Sequence, residues 1–549
     1  MATYNFSALS DGSSITFRPG SDLLRFDQSG ISAADVRITA SGSATRVQYG
    51  SKDVLLLNTT PYQLYTSNVA FANGSRLLNG DNSLSQNDNG SHALNGTAGR
   101  DVFYGYGGDD SMNGGDGKDV FVMARGTASS LGNDSINGGN DFDIVDYSSA
   151  NGAVTGSLAA HSVSVATGGA AFVTGVDGII GGSYNDNLRG NGAPNRLEGR
   201  NGNDTLDGAS GGDTLVGGSG NDTYIVYAGD VLSDSGGSEL VISNASWTLA
   251  SGFENLVLVG TDPNSGTGNG SANQMTGNSA GNSLFGNGGN DTIVGGDEPF
   301  DESWFDPVDA VDMINGGSGN DRMYGGTGSD GFILSGDYGQ DTIDGGAGPD
   351  LLFAGGSRAL VVDLAAGTAT GGGSSGSATL VNVEGAAGGR FADRLLGNSA
   401  DNLFMGRAGN DSMSGGDGND HLMSEQGSDT LTGGFGADEF RFAAPAGTAD
   451  ADRITDFASG SDKIVLDGSF GSYHEGAASA FGDFAPVDER FYAAPNASAA
   501  HDDTDRVIYD TWSGRLYYDA DGSSGGAPAL LMATLQGAPT LAASDITVW

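Results

Sequence analysis

The 549-residue chain contains no cysteine. Disulfide stapling is excluded, and with it thiolate metal sites. Histidine is scarce: His92, His161, His421, His474 and His501 are scattered, and none pairs at helical spacing. That disfavours zinc or copper. His474-Glu475 is followed by Gly476-Ala477-Ala478, so the second histidine of a zinc-protease helix is missing. Basic residues are few: 23 Lys and Arg stand against 69 Asp and Glu, a formal charge of -46. This excess excludes general nucleic-acid affinity and points to a cation as partner. No stretch of 18 apolar residues exists, so no helical membrane span is expected. The opening MATYNFSALSDGSS has no basic region followed by an apolar run, so no Sec-type signal peptide is expected. Gly-x-Ser-x-Gly occurs around Ser210, Ser374 and Ser524, but in a chain with 96 glycines about two such matches arise by chance, and none sits in a strand-to-helix setting. No enzyme is expected; the enzyme alternative is a lyase or glycosidase built on a solenoid flank.

What is abundant is glycine, and it is periodic. The frame Gly-Gly-x-Gly-x-Asp-x-U-x, with U a large apolar residue, recurs at Gly114 (GGDGKDVFV), Gly217 (GGSGNDTYI), Gly316 (GGSGNDRMY), Gly325 (GGTGSDGFI), Gly345 (GGAGPDLLF), Gly415 (GGDGNDHLM) and Gly433 (GGFGADEFR). A looser copy stands at Gly336 (GDYGQDTID). The first six residues form a turn whose glycines allow positive φ or close backbone approach. The last three alternate, so U points to one face and its neighbours to the other. The U residues run Phe103, Met112, Phe121, Ile136 and Val145; then Leu188, Leu197, Leu206, Leu215 and Tyr224; then Leu284, Ile293, Ile314, Met323, Phe332, Ile343 and Leu352; then Leu395, Phe404, Met413, Leu422, Leu431 and Phe440. Two nonads make one coil with two short parallel strands. Stacked coils form a solenoid in which no coil buries its apolar face alone.

Counting degenerate copies, 20 of 23 nonads have Asp at the sixth position, and Asn195, Asn282 and Asn402 fill the rest. The acids are Asp101, Asp110, Asp119, Asp134, Asp143, Asp186, Asp204, Asp213, Asp222, Asp291, Asp312, Asp321, Asp330, Asp341, Asp350, Asp393, Asp411, Asp420, Asp429 and Asp438. Coils about 4.8 Å apart would stack carboxylate over carboxylate. At an effective dielectric of 20, two such charges repel by roughly 3.5 kcal/mol. A cation between the rungs removes that repulsion. Carboxylate and carbonyl oxygens in flexible turns suit Ca²⁺ better than Mg²⁺. All twenty Asp residues are therefore candidate calcium ligands, with multiple Ca²⁺ ions as cofactor, and metal binding is expected to drive folding.

From about Gly96 to Arg441 this pattern resembles the RTX, or hemolysin-type calcium-binding repeat, family of secreted bacterial proteins. The resemblance implies an all-β fold, a parallel β-roll or β-solenoid with small non-repeat β domains at both ends. It also implies export through type I secretion machinery by an uncleaved C-terminal signal. Residues 1–95 alternate in short runs (Tyr4–Leu9, Ser14–Arg18, Val36–Ala40, Arg46–Gly50, Val54–Leu57, Gln63–Phe71) and read as an anchoring or assembly β domain. Repeat block 1 covers 96–146 and a spacer 147–180, read either as solenoid without calcium turns or as a side loop. Block 2 covers 181–225, a β-rich spacer 226–276, and block 3 277–353, broken by the acidic insertion 297–312. A further spacer, 354–387, leads to block 4 at 388–441. Residues 442–549 resemble a C-terminal cap and type I secretion region, ending in Ile546-Thr547-Val548-Trp549.

The expected function is a secreted, calcium-binding protein at the cell surface. It would self-assemble into a homo-oligomer or polymer: a surface layer, sheath, filament or matrix component. A monomeric adhesin or glycan-binding module is the alternative, with a cell-surface polysaccharide as a further candidate partner.

Overall fold

The computed structural model describes residues 2–64, 66–79, 90–123, 131–297, 312–442, 451–466, 482–519, 522–524, 526 and 528–548. The acidic insertion between its end residues Asp297 and Asp312, and His474-Glu475, lie outside these. The chain divides into two compact units, Met1–Asn244 and Ala245–Trp549. Among the described residues there is no α-helix, and the repeats of both units form a parallel β-roll.

Each nonad does what its alternation demands. In the first unit, Val102–Tyr104, Val120–Val122, Ile144–Asp146, Gly178–Ile180, Arg196–Asn201 and Thr214–Ser219 pair in parallel. Their central residues stack as Phe103, Phe121, Val145, Ile179, Leu197 and Leu215, all fully buried. The intervening nonads build a second parallel sheet, with Leu188, Leu206 and Tyr224 in register. The second unit repeats the plan. Leu284, Ile314, Phe332 and Leu352 stack in one sheet, as do Ala386, Phe404, Leu422, Phe440 and Ile464. Met275, Ile293, Met323 and Ile343 stack in the other. A narrow core of one large side chain per nonad results, which is why every U position must be apolar.

The spacers stay in the sheets. After Ile144–Asp146 the chain makes an antiparallel excursion, Val154–Ser157, Ser162–Val165 and Ala170–Thr174. Its outer strands pair in parallel with Asn187–Arg189 and Asn133–Gly139. The second unit has the same device: Leu360–Asp363, Thr368–Gly371 and Ser375–Val381 lie between Arg394–Leu396 and Asp337–Ala347. One sheet thus takes three strands where its partner takes one, Gly178–Ile180 or Gly385–Ala387.

Residues 2–79 form a small β domain. Thr3–Asn5, Leu23–Phe26 and Val69–Phe71 make a parallel sheet. Ser13–Thr16, Lys52–Leu57, Ala44–Tyr49 and Arg37–Ser41 make a second, mixed one. The continuous strand read over Gln63–Phe71 is shorter, because Pro61 opens a 3₁₀ turn over Pro61–Gln63. Phe26 stacks on Phe71 and packs tilted against Phe6, with ring centroids 4.6 Å from each. This core runs on through Leu77 to Val102, with Val120 and Val122 packed against it. Leu77–Asn79 pairs with Val102–Tyr104, and Arg100 forms an ion pair with Asp35. The domain therefore covers the open edge of the first coil.

The C-terminal residues do the same for the last coil. Ile546–Val548 pairs in parallel with Lys463–Leu466, and Leu530–Leu535 with Asp452–Ile454. Val507–Asp510 and Arg515–Tyr518 extend the second of these antiparallel.

Phe121 is fully buried and stacks on Phe103 at 4.6 Å. Phe121→Ala should destabilise the calcium-saturated first unit by about 3–5 kcal/mol. A lowered denaturant midpoint in excess calcium is the readout.

Candidate metal centre

The turns lie along the edges of the sheets, and the sixth-position acids lie inside them. All twenty are buried, none more than 4 % exposed. Their placement follows from the first glycine of each nonad. A Cβ on Gly114, Gly199 or Gly415 would collide with the Oδ2 of Asp119, Asp204 or Asp420. In these turns only glycine leaves room for the carboxylate to fold back.

One oxygen of each carboxylate joins a ladder. Asp119 Oδ1 accepts the Asp101 N–H at 2.8 Å, and Asp143 Oδ1 accepts that of Asp119 at 2.7 Å. The same bond links Asp110 to Asp134, Asp186 to Asp204 and Asp204 to Asp222. In the second unit it runs Asp291–Asp321–Asp341, Asp312–Asp330–Asp350, Asp393–Asp411–Asp429 and Asp420–Asp438. Asn195 donates to Asp213, Asn282 to Asp312 and Asn402 to Asp420. The structure thus stacks acid on acid one coil apart.

The other oxygen is the informative one. Oδ2 of Asp119, Asp143, Asp204, Asp213, Asp222, Asp291, Asp321, Asp341, Asp350, Asp411, Asp420 and Asp438 is buried without any hydrogen-bond partner. An unsatisfied buried polar group costs about 1–3 kcal/mol, more when charged. Twelve of them together match or exceed the roughly 5–15 kcal/mol that holds a whole domain together. Burial, and then the neighbouring carboxylates, push these acids well above the ordinary range. Asp143, Asp204, Asp291, Asp341, Asp411 and Asp420 rise to about 7, and Asp350 to about 9.

Three of the predicted acids differ. Asp101, Asp186 and Asp393 have both oxygens satisfied: Oδ2 accepts the N–H of Thr97, Gly182 or Gly389 at 2.6 Å. Five ladder acids lie outside the nonad frame and were missed by it. Asp177, Asp230, Glu384, Asp452 and Asp462 accept the N–H groups of Asp143, Asp213, Asp350, Asp429 and Asp438. Asn273, at the sixth position after Gly268, was also missed; it donates to Asp291. A search for an acid preceding each buried apolar triplet, rather than for the glycine frame, would have found Asp177 and Glu384.

Orphaned carboxylate oxygens face glycine-lined turns, and no thiol is available anywhere in the chain. Turn carbonyls stack beside them: a Cβ on Gly220 would meet the Gly202 carbonyl of the coil behind. This all-oxygen donor set fits Ca²⁺. A separate group, His501, Asp502 and Asp505, lies in the C-terminal region, but Asp505 Oδ2 already accepts the His501 and Asp502 N–H groups.

A family model for the RTX calcium-binding nonapeptide repeat (4 copies) matches residues 90–121, 180–215, 189–224, 202–230, 267–298, 309–332, 333–358, 387–422 and 414–442. Among solved structures, the chain is similar to the solution structure of the AlgE6R3 subunit from the Azotobacter vinelandii mannuronan C5-epimerase. Identity is 26 % over 29 % of this chain and 78 % of that one, with a TM-score of 0.20. No curated protein matches.

The raised carboxyls give the metal-free fold an inverted pH dependence. Unfolded, these acids titrate near 3.8; folded without metal, most titrate near 7. Between those values the folded state holds more protons, so its stability falls as pH rises from about 4 to about 7. In chelator, circular dichroism should show more β structure at pH 4.5 than at pH 7.5, and excess calcium should remove the difference.

Proposed function

From a chain built on RTX calcium-binding nonapeptide repeats, we propose a secreted, calcium-folded protein that self-assembles as a structural component outside the cell. The observation that carries the calcium switch is the row of buried carboxylates with one oxygen bonded and the other orphaned. Asp119, Asp143, Asp204, Asp222, Asp321, Asp420 and the other acids with a stranded Oδ2 are the proposed ligands. At low calcium their mutual repulsion keeps the chain expanded, which suits passage through a type I secretion channel. Millimolar calcium outside closes the turns and folds the roll. Support for assembly comes from the share of the chain given to repeats, and from apolar residues that face outward on the excursion strands: Phe172, Val361 and Val381. Because both terminal regions cover sheet edges, joining through the flanks fits better than end-to-end strand addition.

Removing one charge-assisted contact weakens ion-coupled folding by about 1.5–3 kcal/mol. Asp119→Ala, Asp222→Ala, Asp321→Ala and Asp420→Ala should each raise the calcium midpoint of folding roughly tenfold or more. Unchanged midpoints in all four would discard these ligands. Light scattering and electron microscopy, from excess chelator into millimolar calcium, test the assembly. Ordered sheets or fibres are expected. Compaction to a stable monomer would leave the calcium switch standing and replace the lattice with an adhesin or glycan-binding role.

A further inference from the structure

Twelve of the turns take one of two conformers, and the difference separates a stranded Oδ2 from a bonded one; the Asp341 turn is a third form, with Oδ2 stranded but no positive φ at Asp337. In turns ending at Asp119, Asp204, Asp222, Asp321, Asp420 and Asp438, the second nonad residue is left-handed, with φ between 86 and 118° (Gly115, Arg200, Gly218, Gly317, Gly416, Gly434). The fourth is a glycine at φ 107 to 151°. That path turns the second residue's N–H away from the carboxylate, and Oδ2 is left without a partner in all six.

In turns ending at Asp101, Asp186, Asn195, Asn282, Asp393 and Asn402, the second residue has no positive φ. Its N–H instead donates to the sixth side chain at 2.6 to 2.9 Å. The chain supplies the contact itself. The fourth residue of these turns is Gly99, Tyr184, Ala193, Ala280, Phe391 or Ala400, and even Gly99 lacks a positive φ. Where the sixth residue is asparagine, its amide also donates back one coil: Asn195 to the Asp177 carbonyl, Asn402 to that of Glu384. These turns carry no unmet demand.

Their order repeats in three runs of the ladder. A self-closed turn comes first, open turns follow, and an acid from outside the nonad frame ends the run. Asp101 heads Asp119 and Asp143 and ends on Asp177. Asp393 heads Asp411 and Asp429 and ends on Asp452. Asn402 heads Asp420 and Asp438 and ends on Asp462.

We propose that calcium is held in short separate runs, and that the self-closed turns are ion-free heads fixing where each run begins. The proposal rests on the calcium reading above and adds which turns are excluded from it. In the twelve turns compared, the left-handed second and fourth residues, more than the acid, make a turn ion-dependent.

The test is calcium bound per full-length chain, by equilibrium dialysis with metal analysis, on folded protein. A triple variant, Asn398→Gly with Ala400→Gly and Asn402→Asp, gives a head the open-turn sequence and should gain one ion. Asn402→Asp alone should gain none, because the new carboxylate accepts the Asn398 N–H just as Asp393 accepts that of Gly389. The reverse variant, Gly416→Asn with Gly418→Ala and Asp420→Asn, should lose an ion. An ion gained by Asn402→Asp alone, or counts unchanged in both triple variants, would overturn the proposal. Absence of calcium from the wild-type chain would instead remove the calcium reading beneath it.

Discussion

A carboxylate folded under its own glycine turn, with one oxygen bonded and the other stranded, is the constraint on which this protein is built. It favours glycine at the first nonad position, since at Gly114, Gly199 or Gly415 a Cβ would occupy the place of Oδ2. It requires the acid to sit one coil from the next, since Oδ1 accepts the neighbouring acid's N–H. Repeating that arrangement along each edge accumulates like charge in a poorly solvated place, and the net charge of -46 is its visible consequence. The hydrophobic core is too narrow to offset this alone, because each nonad contributes a single large side chain.

Much of this could be read before the structure. The U positions are buried in sheet register because a period of nine residues leaves them no alternative face. The twenty sixth-position acids are buried for the same reason. What the period does not report is conformation within the turn. Gly96-Thr97-Ala98-Gly99-Arg100-Asp101 fits the frame but for Thr97 and Gly114-Gly115-Asp116-Gly117-Lys118-Asp119 fits it fully; the first closes on Thr97 and the second stays open. The distinguishing feature is φ at the second and fourth residues, which a glycine count blurs. Asp177 and Glu384 were hidden for another reason. They reach the ladder across 34 residues, after an excursion whose strand pairing is antiparallel and carries no nonad signal. In the N-terminal domain, Leu23–Phe26 is a central strand of four residues, too short to show alternation.

Edges impose the second requirement. A roll of parallel strands ends in unpaired backbone groups at both extremities of the stack. In the first unit a domain that shares its core with the first coil covers them, through Leu77–Asn79 and the Phe6, Phe26 and Phe71 cluster. In the second unit the chain's last strand, Ile546–Val548, lies directly on the solenoid sheet. The ladder continues into that region through Asp452 and Asp462, so the C-terminal residues complete the turns as well as the strands. Acids and edges are therefore finished by the same segment.

The two turn conformers give this division a physical order. A self-closed turn satisfies its buried oxygen within six residues, at the entropic cost of a short local loop. An open turn cannot be satisfied locally at all; its Oδ2 waits for a partner from outside the chain. Self-closed turns can therefore form whenever the strands around them meet, whereas open turns add only unfavourable charge until the cation arrives. Placing a self-closed turn ahead of the open ones gives each run a neutral or fully bonded surface to stack on. The Asn-bearing heads go furthest, since Asn195 and Asn402 hold the coil behind through their amide nitrogens while adding no charge. The substitution of Asn for Asp at these positions, which by sequence alone looks like decay of the repeat, occurs in turns that close on themselves as those of Asp101 and Asp393 do.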